Sequence, residues 1–218
     1  MDATIAPASG LADRVGFYAC LAAPEALGAL TSGQVAGCEA ILAACVGWPA
    51  SWTAYALATA YHETAHTLKP VRERGSGDRD HDGRDDYLAK YDSGPLAAQL
   101  GNTPQADGDG VRYAGRGYVQ LTGHANYLKA GQKLGVDLVG QPDLALDPAV
   151  AAKVMRFGME AGWFTGKRLA DYLPPGWNAG AVQFAQARRI INGQDCASLI
   201  AGYASKFQAA LAAGLWRP

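Results

Sequence analysis

The chain is short of cysteine. It has four in 218 residues, and no two form a C-x-x-C pair, which removes the usual zinc-knuckle arrangements. Cys38 and Cys45 fall on a helical pattern, which sets them about 10 Å apart along an axis. A disulfide tolerates a Cα separation of only about 7 Å. Both are therefore expected as buried thiols, made in a reducing compartment. An excess of either charge is missing too. The formal net charge is −1, so no basic field is available for nucleic acid. Long apolar runs are absent from the amino-terminal segment. Its longest, Val15 to Pro24, is about half a membrane span and stops at Glu25. Neither a secretion signal nor a transmembrane helix is expected, and so no stable membrane association. No internal repeat and no low-complexity tail interrupt the pattern.

What remains is an ordinary globular composition, 49% apolar and 18% charged, on a chain long enough to bury a core without staples. Most of it reads as helix. Val35, Cys38, Leu42 and Cys45 recur at three or four, a core-facing stripe. Residues 51–65 read as a second helix, with Pro70 opposing any continuation. Asp147-Pro148 is a helix start, with Val150, Val154 and Phe157 as the buried face. Asn192-Gly193 closes the next helix, and Ile200, Tyr203, Phe207 and Leu211 line the last. The segment 75–117 is rich in Gly and Asp and is expected to be loops with a short hairpin. The fold class is therefore mainly α. A single domain over residues 1–218 is expected, two helical lobes with a small loop and hairpin region between them. A loop-rich centre is a natural place for a cleft.

One stretch, Ala60 to Gly77, supports two incompatible chemistries. His62-Glu63-Thr64-Ala65-His66 is a literal H-E-x-x-H, in which two imidazoles on one helix face hold zinc. A third ligand is required. The extended zinc motif fails here, because Lys69 and Arg72 stand where glycine and histidine belong. The other histidines are His81 and His124, and Glu160 lies in an apolar run. The same stretch holds Glu63 and Glu73, two of only five glutamates. Glycoside hydrolysis uses such a pair, one to protonate the leaving oxygen and one to handle water or the sugar cation. Glu63 ends an alanine-rich helix, where partial burial would keep a proton on it. Glu73 follows Pro70 on a loop, a better place for an ionised carboxylate. For any single glutamate, a plain surface charge is the bland alternative.

The run Tyr113-Ala114-Gly115-Arg116-Gly117-Tyr118-Val119-Gln120-Leu121-Thr122 shifts the balance. With His62-Glu63-Thr64, it resembles the glycoside hydrolase family 19 chitinases, and more closely their phage endolysin relatives. That family carries H-E-(T/S), then Y-x-G-R-G-x-x-Q-L-(S/T) and N-Y, here Asn126-Tyr127, and later I-I-N-G, here Ile190 to Gly193. The blocks occur in the family's order across residues 61–193. The resemblance implies a lysozyme-like helical fold of two lobes around a sugar cleft. It implies Glu63 as general acid, Glu73 as the base that activates water, and Thr122 as a hydroxyl that holds that water. His62, Tyr113, Gln120, Asn126, Tyr127 and Asn192 match positions expected to bind substrate. Ala65-His66-Thr67 depart from the plant pattern, and Asp78, Asp80 and Asp85 remain alternatives to Glu73 as the base. His66 is expected as a satisfied neighbour, and Arg116 as a structural residue bonding loop carbonyls or a carboxylate. By the same resemblance the reaction inverts, which needs the two carboxyls about 6.5–9.5 Å apart to admit a water.

Asp78, Asp80 and Asp82 precede Gly83 as in a calcium loop, but Ala89 stands where the bidentate glutamate belongs. A solvated acidic loop is the favoured reading, with no metal and no cofactor expected. Trp163, Phe164 and Trp177 suit sugar stacking and packing equally. The expected function is hydrolysis of β-1,4 bonds in peptidoglycan glycan strands by a monomer. The alternatives are a chitinase acting on chitin oligomers and a zinc peptidase. The enzyme would be made in the host cytoplasm without a leader and would reach the wall after a partner opens the membrane.

Overall fold

The computed structural model describes residues 9–77, 85–176 and 178–218. The calcium-like positions Asp78, Asp80 and Asp82, with His81 and Trp177, lie outside the described residues. In chain order the elements are β1 (Gly10–Leu11), α1 (Arg14–Ala22), α2 (Ser32–Ala44), α3 (Ala50–Glu63) and β2 (Val71–Arg72). A 3-10 turn (Leu88–Tyr91) precedes α4 (Gly94–Leu100), α5 (Asp109–Arg112), β3 (Arg116–Gly117) and α6 (His124–Leu134). A second 3-10 turn (Pro142–Leu146) leads to α7 (Pro148–Ala161), α8 (Leu169–Tyr172) and α9 (Ala181–Ala187). A third (Arg188–Ile190) precedes α10 (Ala197–Ala213) and β4 (Trp216–Arg217). The chain is mainly helical, as expected, and forms two compact units. One joins the residues up to Leu68 to Arg156–Pro218, and the other is Lys69–Met155. No helix among the described residues is long and apolar enough to cross a membrane.

The first unit is built around α3, which is buried from Ala50 to Tyr61 except for the half-buried Trp52. Five alanines in that stretch keep its surface low, so that α10 packs closely along it. Phe207 and Leu211 of α10 are fully buried, and Tyr61 meets Tyr203 and Phe207 edge to face. The stripe on α2 buries Cys38, Ile41 and Leu42 and continues into Cys45, whereas Val35 stays half-buried. Cys38 and Cys45 are free thiols, and burial pushes each up to about 12. β1 and β4 pair antiparallel, with Leu11 opposite Trp216. The Trp216 indole donates to the Trp48 carbonyl at 2.9 Å.

The second unit carries the short helices. Residues 75–117, expected as loops, hold the first 3-10 turn, α4 and α5. Asp92 explains why so polar a segment is ordered. Its buried carboxylate accepts the backbone N–H groups of Gly108 and Gly110, tying α5 to the 3-10 turn. The hairpin lies later than expected. Arg116 and Leu121 exchange backbone hydrogen bonds, and on its other side β3 pairs antiparallel with β2. The helix start at Asp147-Pro148 is as expected, since Asp147 Oδ1 accepts from the N–H groups of Ala149 and Val150 at 3.0 Å. The buried face of α7 is Ala151, Ala152, Val154, Met155 and Met159, while Val150 and Phe157 are half-buried.

Gly37 lets α2 approach the segment after α3. A Cβ there would stand 2.0 Å from the Leu68 carbonyl oxygen and 2.7 Å from Leu68 Cβ. Alanine is the better helix former by about 1 kcal/mol, but a backbone clash this severe outweighs that gain. Gly37→Ala is expected to destabilise the fold by on the order of 1–3 kcal/mol, read as a lowered Tm.

Candidate active site

The end of α3 sets Glu63. The helix expected over residues 51–65 runs from Ala50 to Glu63, ending two residues early with Thr64 as its C-cap. Thr64 is buried, and its hydroxyl donates to the Ala60 carbonyl and accepts the Leu68 N–H, both at 2.8 Å. That side chain closes a loop in which Ala65, His66 and Leu68 all take positive φ, at 49°, 68° and 53°. Left-handed backbone at three non-glycine residues costs of order 1 kcal/mol or more at each. Burial of Leu68 and the two Thr64 bonds offset it. His66 is carried off the helix by this turn. Its ring stacks on Tyr61 at 4.4 Å, and its Nε2 lies 3.1 Å from the Tyr203 hydroxyl. The two imidazoles of the H-E-x-x-H motif therefore do not share a helix face, because α3 ends between them. Among the described residues, no three His, Cys, Asp or Glu side chains converge as a metal-binding group.

Glu63 itself is paired with an arginine from a distant segment. Its Oε1 accepts from Arg188 Nη1 at 2.5 Å, and Arg188 Nε donates to the Asp195 carbonyl at 2.9 Å. Arg188 is 1% exposed. Glu63 is half-buried, as expected, and its carboxyl group faces a buried cation that the sequence reading did not name. Arg188 was not among the residues singled out from the sequence. The available signal was an arginine pair inside the apolar run from Phe184 to Ile191. Asn192 follows it, exposed, with its N–H on the Arg188 carbonyl at 3.0 Å. Gly193 takes φ 46° and closes this turn as expected.

In the second unit the run 113–122 gathers around Gly115. The Glu73 N–H donates to the Gly115 carbonyl at 2.7 Å, and the Gly115 N–H returns to Glu73 Oε2 at 3.0 Å. Tyr91 donates its hydroxyl to Glu73 Oε1, also at 3.0 Å. A Cβ on Gly115 would lie 2.8 Å from Gln120 Oε1, 3.1 Å from Glu73 Oε2 and 3.2 Å from Thr122 Oγ1. The glycine is there because three polar side chains converge on the space a side chain would fill. Glu73, Gln120 and Thr122, singled out separately, are thus brought together. Gln120 takes φ 55° and donates to the Val71 carbonyl at 3.2 Å. Thr122 Oγ1 donates to the Gln120 carbonyl at 2.9 Å, and Asn126 Nδ2 to the Thr122 carbonyl at 2.7 Å. A cavity of about 700 Å³ runs along residues 71–75 and includes Glu73.

Two expected substrate contacts prove to be core residues. Tyr127 is fully buried, donates to the Ala114 carbonyl at 2.8 Å and accepts from Arg116 at 2.9 Å. Tyr113 is 4% exposed and packs on the rings of His124 and Tyr127. Both brace the loop from beneath, since an aromatic ring suits a core as well as a sugar. Arg116 is structural, as expected. It is 3% exposed and donates to the carbonyls of Arg112 and Ala114 and to Asp143. Asp85, the described alternative to Glu73, is an anchor instead. It accepts the N–H groups of Ser76, Gly77, Tyr87 and Leu88, and these bonds hold its carboxyl below the usual range. His62 is half-exposed at the end of α3.

Carboxylates held by fixed donors on a mainly helical scaffold are the equipment of glycoside hydrolases. The family model for chitinase class I matches residues 36–167, well over half of the chain, and the chain belongs to that family, glycoside hydrolase family 19. A chitinase 8 from Oryza sativa subsp. japonica is 58% identical over 40 residues, 18% of this chain and 15% of that protein. The matched stretches span about a third or less of the curated relatives. Among solved structures, chitinase C from Streptomyces griseus HUT6037 superposes with a TM-score of 0.57 at 21% identity, covering 95% of this chain and 79% of that one. A bacterial family 19 chitinase gives 0.51 at 23% identity, covering 91% and 94%. The fold is theirs.

Thr64→Val removes the hydroxyl and strands the buried Leu68 N–H. It is expected to cost about 1–3 kcal/mol, measured by denaturant unfolding, while Thr64→Ser retains most of the stability.

Proposed function

We propose that the chain hydrolyses β-1,4 glycosidic bonds of bacterial peptidoglycan with inversion. Glu63 gives its proton to the bridging oxygen as the C1–O bond breaks. Glu73 takes a proton from the water that attacks C1, and the Thr122 hydroxyl helps hold that water. The observation that carries the reading is the convergence of Glu73, Thr122 and Gln120 on the side-chain-free face of Gly115. A base must be fixed relative to its water, and the Gly115 N–H and Tyr91 hydroxyl hold one oxygen each of this carboxylate. Arg188 holds Oε1 of Glu63, so Oε2 is the oxygen assigned to carry the proton.

The choice of peptidoglycan draws support from charge. The cavity along residues 71–75 is flanked by two exposed arginines, Arg74 and Arg72, the latter 3.6 Å from the Asp143 carboxylate. Peptidoglycan carries carboxylates on its stem peptides, whereas chitin is neutral, so guanidinium groups beside the base favour the wall polymer. Chitin is the second reading, favoured by the chitinase names of the similar proteins.

Glu63→Gln is expected to abolish release of reducing ends from purified peptidoglycan; because it also removes the negative partner of the buried Arg188, the Tm is expected to fall, and circular dichroism below the melt checks that the fold is retained. Mass spectrometry of the products decides the substrate. Muropeptides with a new reducing sugar support the proposal, faster cutting of chitin oligomers supports the second reading, and free peptide amines would overturn both.

A further inference from the structure

Tyr91 takes part in no motif, yet it is held with unusual care for a residue on a four-residue 3-10 turn. Its carbonyl accepts from Asn102 Nδ2 at 2.7 Å, and the other end of the Asn102 amide accepts the His124 N–H at 2.8 Å. The next residue, Asp92, is clamped in the interior by the Gly108 and Gly110 N–H groups. These bonds fix the backbone on both sides of the phenol, and its hydroxyl donates to Glu73 Oε1 at 3.0 Å.

We propose that Tyr91 is a positioning residue for Glu73: its hydroxyl fixes the rotation of the carboxylate and stabilises its charge, with the Gly115 N–H on the other oxygen. The inference rests on the reading of Glu73 as the base. With Oε1 held by a phenol on the 3-10 turn and Oε2 by a backbone amide of the 113–117 loop, the carboxylate plane cannot turn without losing a charge-assisted bond. The phenol is suited to the task because it stays a donor. Burial raises its pKa, and so does the charge of Glu73, so it does not ionise where the enzyme works. The other charged groups near Glu73 are Arg72 and Arg74 on its own segment and Lys90 beside Tyr91. Lys90 Nζ lies 3.4 Å from the Tyr87 ring centre and 4.6 Å from that of Tyr91. Arg116, on the facing strand, is turned to Asp143. Among the described residues, the Tyr91 hydroxyl and the Gly115 N–H are the donors on the Glu73 carboxylate, so the phenol is the side-chain donor whose loss the carboxylate will register.

The test compares wild type with Tyr91→Phe and Glu73→Gln on purified peptidoglycan, following kcat and KM across pH, with thermal melting alongside. For Tyr91→Phe, kcat is expected to fall about tenfold or more, the lower end of the worth of a charge-assisted hydrogen bond. KM should change little. The acidic limb of the kcat/KM profile should move up by about one pH unit, because the ionised carboxylate loses a donor. A merely structural tyrosine would lower the Tm and leave that limb in place. Wild-type kcat with an unmoved limb in Tyr91→Phe, beside an inactive Glu73→Gln, overturns the positioning role alone. Full activity in Glu73→Gln overturns the assignment of the base, and the inference with it.

Discussion

A guanidinium group taken out of water must have its N–H donors met, because an uncompensated buried charge costs several kcal/mol. Among the described residues each unit buries one such group, and side chains of the site help to satisfy it. In the first unit Arg188 is met by the Asp195 carbonyl and by Glu63. In the second, Arg116 draws the carbonyls of Arg112 and Ala114, the Tyr127 hydroxyl and Asp143 around itself. Turning those carbonyls inward directs the Gly115 N–H outward, to Glu73. The glutamates are thus placed by buried cations and backbone amides.

The second requirement is room. Gly115 leaves a gap that three polar side chains share, and Gly37 lets α2 reach the turn that ends α3. That turn is strained, with three non-glycine residues in left-handed backbone, and the Thr64 hydroxyl holds it closed. Strain stored beside Glu63, and offset by buried contacts, fixes the side chain at the end of the helix. His66 is drawn into the same turn and spends its ring on Tyr61 and Tyr203. A five-residue pattern that reads as metal binding is thereby dismantled by one threonine.

Elements with local causes were legible. The Asp147-Pro148 start of α7, the α2 stripe and the apolar line of α10 follow from capping and periodicity, which need no knowledge of the rest of the chain. Reading failed where one residue type serves two purposes. Tyr113 and Tyr127 suit a sugar or a core, and only the packing of His124 and the demand of Arg116 assign them to the core. Arg188 escaped notice because its partner Glu63 is 125 residues away.

By itself, the order of residues determined that the chain is mainly helical, that Glu63 lies near a helix end, and that Glu73, Gln120 and Thr122 deserve attention. Helix periodicity, caps and motif spacing are short-range properties, carried within a few turns of chain. The tertiary structure decided which cation holds Glu63, that Tyr91 meets Glu73, and which aromatic rings are load in the core rather than surface for a ligand. Those outcomes depend on which buried donors find which acceptors, and such pairings are set only when distant segments pack and water leaves.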